Sequence, residues 1–469
     1  MRGENKLMLD EKSIITVPKQ LLIDLAISKQ ENRYNEDAYL LYNPIGYGGV
    51  LTVGKKIVDL IRMFDGKKNI QTVINEAGFC GNEAEMAKAI ISSLVEKQML
   101  NTTNIVYEKP KWNRELTCWL HITNDCNLKC KYCYIHKSHS NMSSCIMYEA
   151  IDKMFDSCRK HNYKKLCLML VGGEPLMRFD TIKEIVSYCL KNCGDINVRY
   201  VIPTNGTLIT PKIAKYIAEN HISVGISIDG IESYHDQNRI KADGTGSYKL
   251  AMRGVDNLIN EGIKPSIMVT VTEENLEGLP ELTKFMIDKK IFFRFSFERD
   301  TQTGSPAILK DENRCIEVLN ECFKIMKNAL NNDDLGWFFQ FGDVSFSKPV
   351  RRACAAGKNF FAIGQDGSVG SCSLGLESPK SNISDLTDII SDIDTIFSDI
   401  SKTSACDVLE CNKCVWKHSC AGACPLQTYA TYKTFMHISP YCNLYKSCLP
   451  DVIRIYAMTI YYTNKKKEV

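Results

Sequence analysis

The sequence predicts an α/β chain in three parts: a winged-helix-like α+β unit over residues 1–108, a partial (β/α)6 TIM-like barrel over 109–330, and a loop-rich, cysteine-bearing unit over 331–469. Three observations carry this. Strand-like residues precede helical spacing in the first hundred residues. Short apolar runs then alternate with amphipathic stretches from Leu116 to Phe297. Beyond Arg351, periodicity weakens while cysteine density rises. A chain of 469 residues is also too long for one ordinary core.

In the first part, DAYLLYN and VLTV are separated by a Pro-Gly-Gly stretch and read as a short antiparallel pair. KKIVDLIRMF and EMAKAIISSLVEKQML carry apolar residues at helical spacing, divided by the turn-forming Asp65-Gly66. In the second part, the strand candidates are CWLHIT, CLMLV, VRYVIPT, VGISID, SIMVTV and FFRFSF. The helices between them run around Tyr148–His161, Thr181–Asn192, Pro211–Asn220, Tyr248–Glu261 and Leu279–Lys289. Successive βα units imply a barrel with its chemistry at the C-terminal ends of the strands. An open doubly wound sheet satisfies the same pattern.

The formal charge of +3 gives no electrostatic reason to expect nucleic acid or a membrane surface as partner. No apolar run reaches the length of a membrane span, and MRGENKLMLDEKS lacks a signal core, so a cytoplasmic protein is expected. The basic Lys465, Lys466 and Lys467 read as a frayed, solvated tail. Cysteine is the anomaly, with 21 in the chain. In a reducing compartment, clustered cysteines more often bind zinc or iron–sulfur centres than form disulfides. Cys158, Cys167, Cys189, Cys193, Cys315 and Cys322 are scattered and read as small buried apolar residues.

The chemistry-bearing motifs sit where a barrel would use them. Cys126-x-x-x-Cys130-x-x-Cys133 follows the strand CWLHIT. Three thiolates can hold three irons of a cubane and leave the fourth open, whereas zinc would take a fourth ligand such as His121 or His136. Gly172-Gly173-Glu174-Pro175 ends the next strand, where glycines admit close backbone approach and a carboxylate can hold an ammonium; by itself it could be any turn. Thr204-Asn205-Gly206 and Ser227-Ile228-Asp229-Gly230 end the third and fourth strands, as Asx-type turns or as ligand contacts. Arg239 suits bidentate pairing with a carboxylate, or is a surface residue. At the C-terminal end, Cys354 is followed after twelve residues by Gly367 and after four more by Cys372. Cys411, Cys414, Cys420, Cys424 and Cys442 come later. A zinc ribbon could use Cys411, Cys414, Cys420 and Cys424, leaving the other three unexplained.

The run CNLKCKYCY at 126–134 strongly resembles the signature of the radical S-adenosylmethionine (SAM) superfamily, and GGEP resembles its SAM-amine motif. The stretch SIDGIESYHDQNR and the spacing of the seven later cysteines resemble the SPASM subgroup. That resemblance implies a [4Fe-4S] cluster on Cys126, Cys130 and Cys133, with SAM chelating its open iron and Tyr132 against the adenine. Gly172, Gly173, Glu174, Asn205, Ser227, Asp229 and Arg239 would surround SAM. It further implies two auxiliary [4Fe-4S] clusters, three in all. Cys411, Cys414, Cys420 and Cys442 would hold the outer one. Cys354, Cys372 and Cys424 would hold the inner one, which is left one ligand short; either Cys406 completes it or an iron stays open.

More loosely, the N-terminal unit resembles the leader-peptide recognition domain of the pyrroloquinoline-quinone chaperone type, with its helix at about Glu83 to Lys97. Together these imply a maturase of a ribosomally made precursor peptide. It would form a thioether, as sactipeptide and ranthipeptide enzymes do, or a carbon–carbon crosslink of the streptide type. An external donor such as flavodoxin or ferredoxin would supply electrons, in an anaerobic bacterium. A sulfatase-maturating oxidase fits less well, because such enzymes place an Asp where Ser373 stands here. A non-catalytic electron carrier fits poorly with the intact Cys126 triad.

Overall fold

The computed structural model describes residues 12–102, 114–299, 310–332, 335–347 and 349–468. The expected boundary at residue 108 and the first eleven residues lie outside them. At the N-terminal end, β1 (Ile15–Thr16) pairs with β5 (Asn101–Thr102). The strands β2 (Leu22–Ile27), β3 (Ala38–Tyr42) and β4 (Val50–Gly54) form an antiparallel sheet with β3 central, so the expected pair is the larger part of a three-stranded sheet. Helices α1 (Lys55–Arg62), α2 (Ile70–Glu76) and α3 (Asn82–Glu96) follow. Asp65 Oδ1 accepts from the amides of Lys67 and Lys68 at 2.8 and 3.0 Å and closes the turn after α1. Asn69 then caps α2, a helix the sequence reading passed over. Leu41, Leu60, Val73, Ile91 and Leu94 form a small core of this unit's own.

The barrel strands are β6 (Glu115–Thr123), β7 (Lys165–Gly172), β8 (Asn197–Thr204), β9 (Ser223–Ser227), β10 (Ser266–Val271) and β11 (Phe292–Phe297). They pair in parallel and in chain order. A doubly wound sheet would reverse order at a switch point, so the in-order sheet decides for the partial barrel. The crossovers carry α4 (Ser144–Lys160), α5 (Phe179–Asn192), α6 (Pro211–Glu219), α7 (Glu232–Asn238), α8 (Tyr248–Asn260) and α9 (Leu279–Asp288). Their starts are written locally. Ser143 and Thr210 accept from the amides of Ile146 and Ile213, and Pro211 opens α6, where its missing N–H costs nothing. Of the scattered cysteines, Cys158, Cys167, Cys189, Cys315 and Cys322 are buried as expected. Cys193 is not: it sits just past the end of α5 and is partly exposed.

Helix α10 (Glu312–Asn331) leads to β12 (Phe338–Phe341), which lies parallel beside β11. On the other flank β13 (Phe360–Ile363) lies parallel beside β6 and is extended by β14 (Ser368–Gly370) and β15 (Ser381–Asn382). Chain beyond residue 331 therefore supplies both margins of a ten-stranded sheet. Around the later cysteines the helices are short: α11 (Ile389–Ile396), α12 (Ser398–Ser401), α13 (Leu409–Asn412) and α14 (Pro425–Tyr432).

The last helix, α15 (Cys442–Glu468), overturns the expectation of a frayed basic tail. It packs along the N-terminal sheet. Asn32 Nδ2 donates to the Tyr461 hydroxyl at 2.8 Å, which donates to Glu36 Oε1 at 2.7 Å. Arg454 pairs with Asp24 at 2.8 Å and Lys465 with Glu36 at 3.0 Å. Tyr462 is fully buried, its hydroxyl 3.1 Å from Asn331 of α10. One helix thus joins the first unit to the barrel. Tyr462→Ala is expected to cost about 3–5 kcal/mol, as for other large buried aromatics, read as a lowered urea midpoint. A midpoint within error of the native one would show that α15 does not anchor the N-terminal unit.

Candidate active site at the mouth of the barrel

The loops after the barrel strands converge at one end of the sheet, and the Cys126–Cys133 loop lies at their centre. Its backbone is held from two sides. The amides of Lys129 and Lys131 donate to Ile240 and Asn238 carbonyls at 2.7 and 3.1 Å. On the other side, Gly173 N donates to Thr123 O at 2.9 Å and Glu174 N to Asp125 O at 2.8 Å. A Cβ on Gly172 would sit 2.1 Å from Thr123 O, and one on Gly173 2.2 Å from Asp125 O. The two glycines are therefore required by the cysteine loop's own backbone, a reason the sequence reading did not give.

Glu174 braces the same turn from its side chain. Its buried carboxylate accepts from Leu176 N at 3.0 Å, Thr204 Oγ1 at 2.7 Å and Asn205 N at 2.8 Å. It ties the ends of β7 and β8 together, and burial raises its pKa despite these bonds. Asn205 in turn donates to Asn127 Oδ1 at 2.9 Å, inside the cysteine loop. Asp229 is the second organiser. Fully buried, it accepts from Thr270 N at 3.0 Å, from Arg239 Nε at 2.7 Å and from the Tyr132 hydroxyl. Arg239 is 8% exposed, so it is no surface residue. Its Nη1 turns towards Cys130 Sγ at 3.9 Å, and its guanidinium lies 5.4 Å from the Tyr132 ring centre. The structure thus brings Tyr132, Asp229 and Arg239 against the cysteine loop, with the half-buried Ser227 at the end of β9.

The later cysteines fall into two groups. Cys411, Cys414, Cys420 and Cys442 line one mostly apolar cavity. Burial, added to by the other three thiols, pushes Cys420 up to about 12. Cys354, Cys372 and Cys424 form the second group: burial and then the Cys424 and Cys354 thiols push Cys372 up to about 12. Cys406 stands beside Tyr47 of the N-terminal unit. Among the described residues no group of three or more His, Cys, Asp or Glu side chains is arranged to hold a metal ion. Grouped cysteines are the donor set that iron–sulfur clusters take, the metal displacing the thiol protons.

Two further residues lie between the groups. The Tyr134 phenol, raised above its ordinary range by burial, hydrogen-bonds Ser373 and faces both Cys372 and Cys133. Ser373 also meets His121 Nε2 at 2.9 Å, and burial lowers that imidazole to about 4. Arg299, two residues beyond β11, pairs with Asp343 at 2.6 Å. Sequence reading missed both Tyr134 and Arg299, although Arg299's place after a barrel strand was a usable signal.

Residues 120–286 match the model of the radical SAM superfamily. An uncharacterized protein of Methanocaldococcus jannaschii is 34% identical over 48% of this chain and 82% of its own length. The chain belongs to the radical SAM superfamily. Membership implies SAM and a [4Fe-4S] cluster, and the Cys126 loop with its three half-buried thiols fits that cluster. The radical SAM cyclopropyl synthase TigE of Paramaledivibacter caminithermalis is 23% identical over 92% of this chain and 96% of its own. The radical SAM fold also superposes on anSMEcpe solved with bound AdoMet and the Cp18Cys peptide. The TM-score is 0.61 and the identity 20%, over 75% of this chain and 99% of that one. No described helix is long and apolar enough to cross a membrane.

Removing Arg239 would leave Asp229 buried beside the cysteine loop without its cation, a loss of about 3–5 kcal/mol. Arg239→Ala is expected to lower urea stability by that amount, and Arg239→Ala combined with Asp229→Asn to recover most of it. Equal losses in the single and double variants would refute the coupling.

Proposed function

We propose that this radical SAM enzyme matures a peptide, forming a thioether between a cysteine sulfur and a carbon of the same substrate. The observation that carries the reading is the pairing of an intact Cys126–Cys130–Cys133 loop with two further, separately grouped sets of half-buried cysteines. When bound, SAM and the loop's [4Fe-4S] cluster supply, on receipt of one electron, a 5′-deoxyadenosyl radical that takes a hydrogen atom from a peptide carbon. The protein's own share is to hold and shield. Glu174 and Asn205 brace the loop, the Asp229–Arg239 pair fixes Tyr132 beside Cys130, and Ser227 ends the neighbouring strand β9.

Closing a carbon–sulfur bond releases one proton and one electron beyond that hydrogen atom. Auxiliary clusters, which Cys411, Cys414, Cys420 and Cys442 and the set Cys354, Cys372 and Cys424 would hold, would give the electron a route out. The set Cys354, Cys372 and Cys424 is one ligand short, which leaves a position for a substrate sulfur or for Cys406. Carbon–carbon bond formation is the second reading, favoured by the near full-length likeness to a cyclopropyl synthase.

In the N-terminal unit, strands β2 and β4 are the free margins of a three-stranded sheet, and one of them would take the precursor's leader as an added strand, with α3 near by. Deleting residues 1–102 is expected to abolish modification of the full-length precursor while SAM cleavage persists. Modification at the native rate would remove the leader-binding assignment.

The catalytic reading is tested by anaerobic reconstitution. About twelve irons are expected, as three cubanes, falling to about eight in the Cys126, Cys130 and Cys133 triple alanine variant. That variant should make no 5′-deoxyadenosine. A triple variant that still makes it would exclude this reading.

A further inference from the structure

Arg299 lies just past the barrel strand β11, beyond the residues 120–286 that match the radical SAM model. Its guanidinium is held by Asp343 at 2.6 Å, and Asp343 is gripped from its other oxygen by Arg294, also at 2.6 Å. Asp343 and Cys354 line the same cavity, of about 940 Å³, at the open seam of the barrel. The backbone beside Arg299 is fixed as well, since the Tyr441 hydroxyl donates to Glu298 O and the Phe297 and Tyr441 rings stack 5.3 Å apart. Besides Asp343, the titratable groups that bear on Arg299 include the Cys424 thiol, the Tyr445 phenol and the Cys372 thiol, and Tyr134 reaches it from the Cys126 loop. Two guanidiniums against one carboxylate leave this triad with a net positive charge, and its Asp343 carboxylate also bears on Cys354.

We propose that Arg299, tethered by Asp343, is the fixed cation of the Cys354–Cys372–Cys424 set and raises the reduction potential of the auxiliary cluster those thiolates hold. The inference rests on the reading that this set binds a cluster. A [4Fe-4S] core of charge +2 with three thiolates carries −1 and reaches −2 on gaining an electron. A neighbouring cation stabilises the more negative state, the more so in a partly buried site. Arg299 would thereby make this cluster a better acceptor of the electron that bond closure releases. A purely structural Arg299–Asp343 pair would leave the potential where it was.

The test is a potentiometric titration of the anaerobically reconstituted full-length protein with dithionite and redox mediators, followed by electron paramagnetic resonance. The inner signal is the one that Cys372→Ala removes. Arg299→Met should lower its midpoint, Arg299→Lys should hold it near the native value, and Asp343→Asn, which frees positive charge, should raise it. An unchanged midpoint in Arg299→Met at native iron content overturns the proposal. Should Arg299→Met fail to fold, an Asp343→Asn midpoint that falls or stays unchanged overturns it equally. If Cys372→Ala loses neither iron nor signal, the cluster reading itself fails and the inference falls with it.

Discussion

Six parallel strands hydrogen-bonded in chain order bring every strand's C-terminal end to one side of the sheet, and everything functional here depends on that. The Cys126 loop, the Gly172–Glu174 turn, the Thr204–Asn205 turn, Ser227 to Asp229, and Arg299 are far apart in sequence. They meet because each follows a strand of this ladder. Two buried carboxylates then convert proximity into geometry. Glu174 binds the ends of β7 and β8 to each other, and Asp229 binds β10, Tyr132 and Arg239 into one cluster beside Cys130. Burying a carboxylate is costly unless its oxygens are satisfied, and both of these are.

The margins of the sheet explain how the later cysteines come near the barrel mouth. The strand β13 extends the ladder beside β6, and the chain then runs through β14 to Cys372 and Ser373. Ser373 meets His121 from β6 and Tyr134 from the cysteine loop, so the two cysteine-bearing loops share one hydrogen-bonded junction. The tethering of α15 to the N-terminal sheet through Asn32, Tyr461 and Arg454 closes the remaining gap. The helix begins at Cys442, itself in the outer cysteine group, so the N-terminal unit is coupled to that group through one rigid element.

What was legible in the sequence was whatever has a short period or a fixed spacing. The six barrel strands and their main helices were readable because apolar runs alternate with amphipathic ones, and strands β10 and β11 match their sequence runs residue for residue. The grouping of the cysteines was foreseeable from spacing through resemblance. Features made by long-range packing were not. Helix α15 carries an internal Pro450 and a mixed face, because it contacts both α10 and the N-terminal sheet, so no single apolar stripe marks it. The glycines at 172 and 173 were noticed, but their reason, a neighbouring backbone about 2 Å from any added Cβ, exists only in three dimensions. Likewise nothing local shows that Thr204 and Asn205 donate to the Glu174 carboxylate.

The central claim is that the Cys126 loop holds a cluster with one iron open to SAM, while the later cysteines hold clusters that SAM does not touch. Mössbauer spectroscopy of protein reconstituted with ⁵⁷Fe, before and after SAM is added, tests it most directly. The account predicts that about one iron in twelve changes its isomer shift on SAM addition, and that the change vanishes when Cys126, Cys130 and Cys133 are replaced. A spectrum that SAM leaves unaltered, in protein carrying its full complement of cubanes, would contradict it.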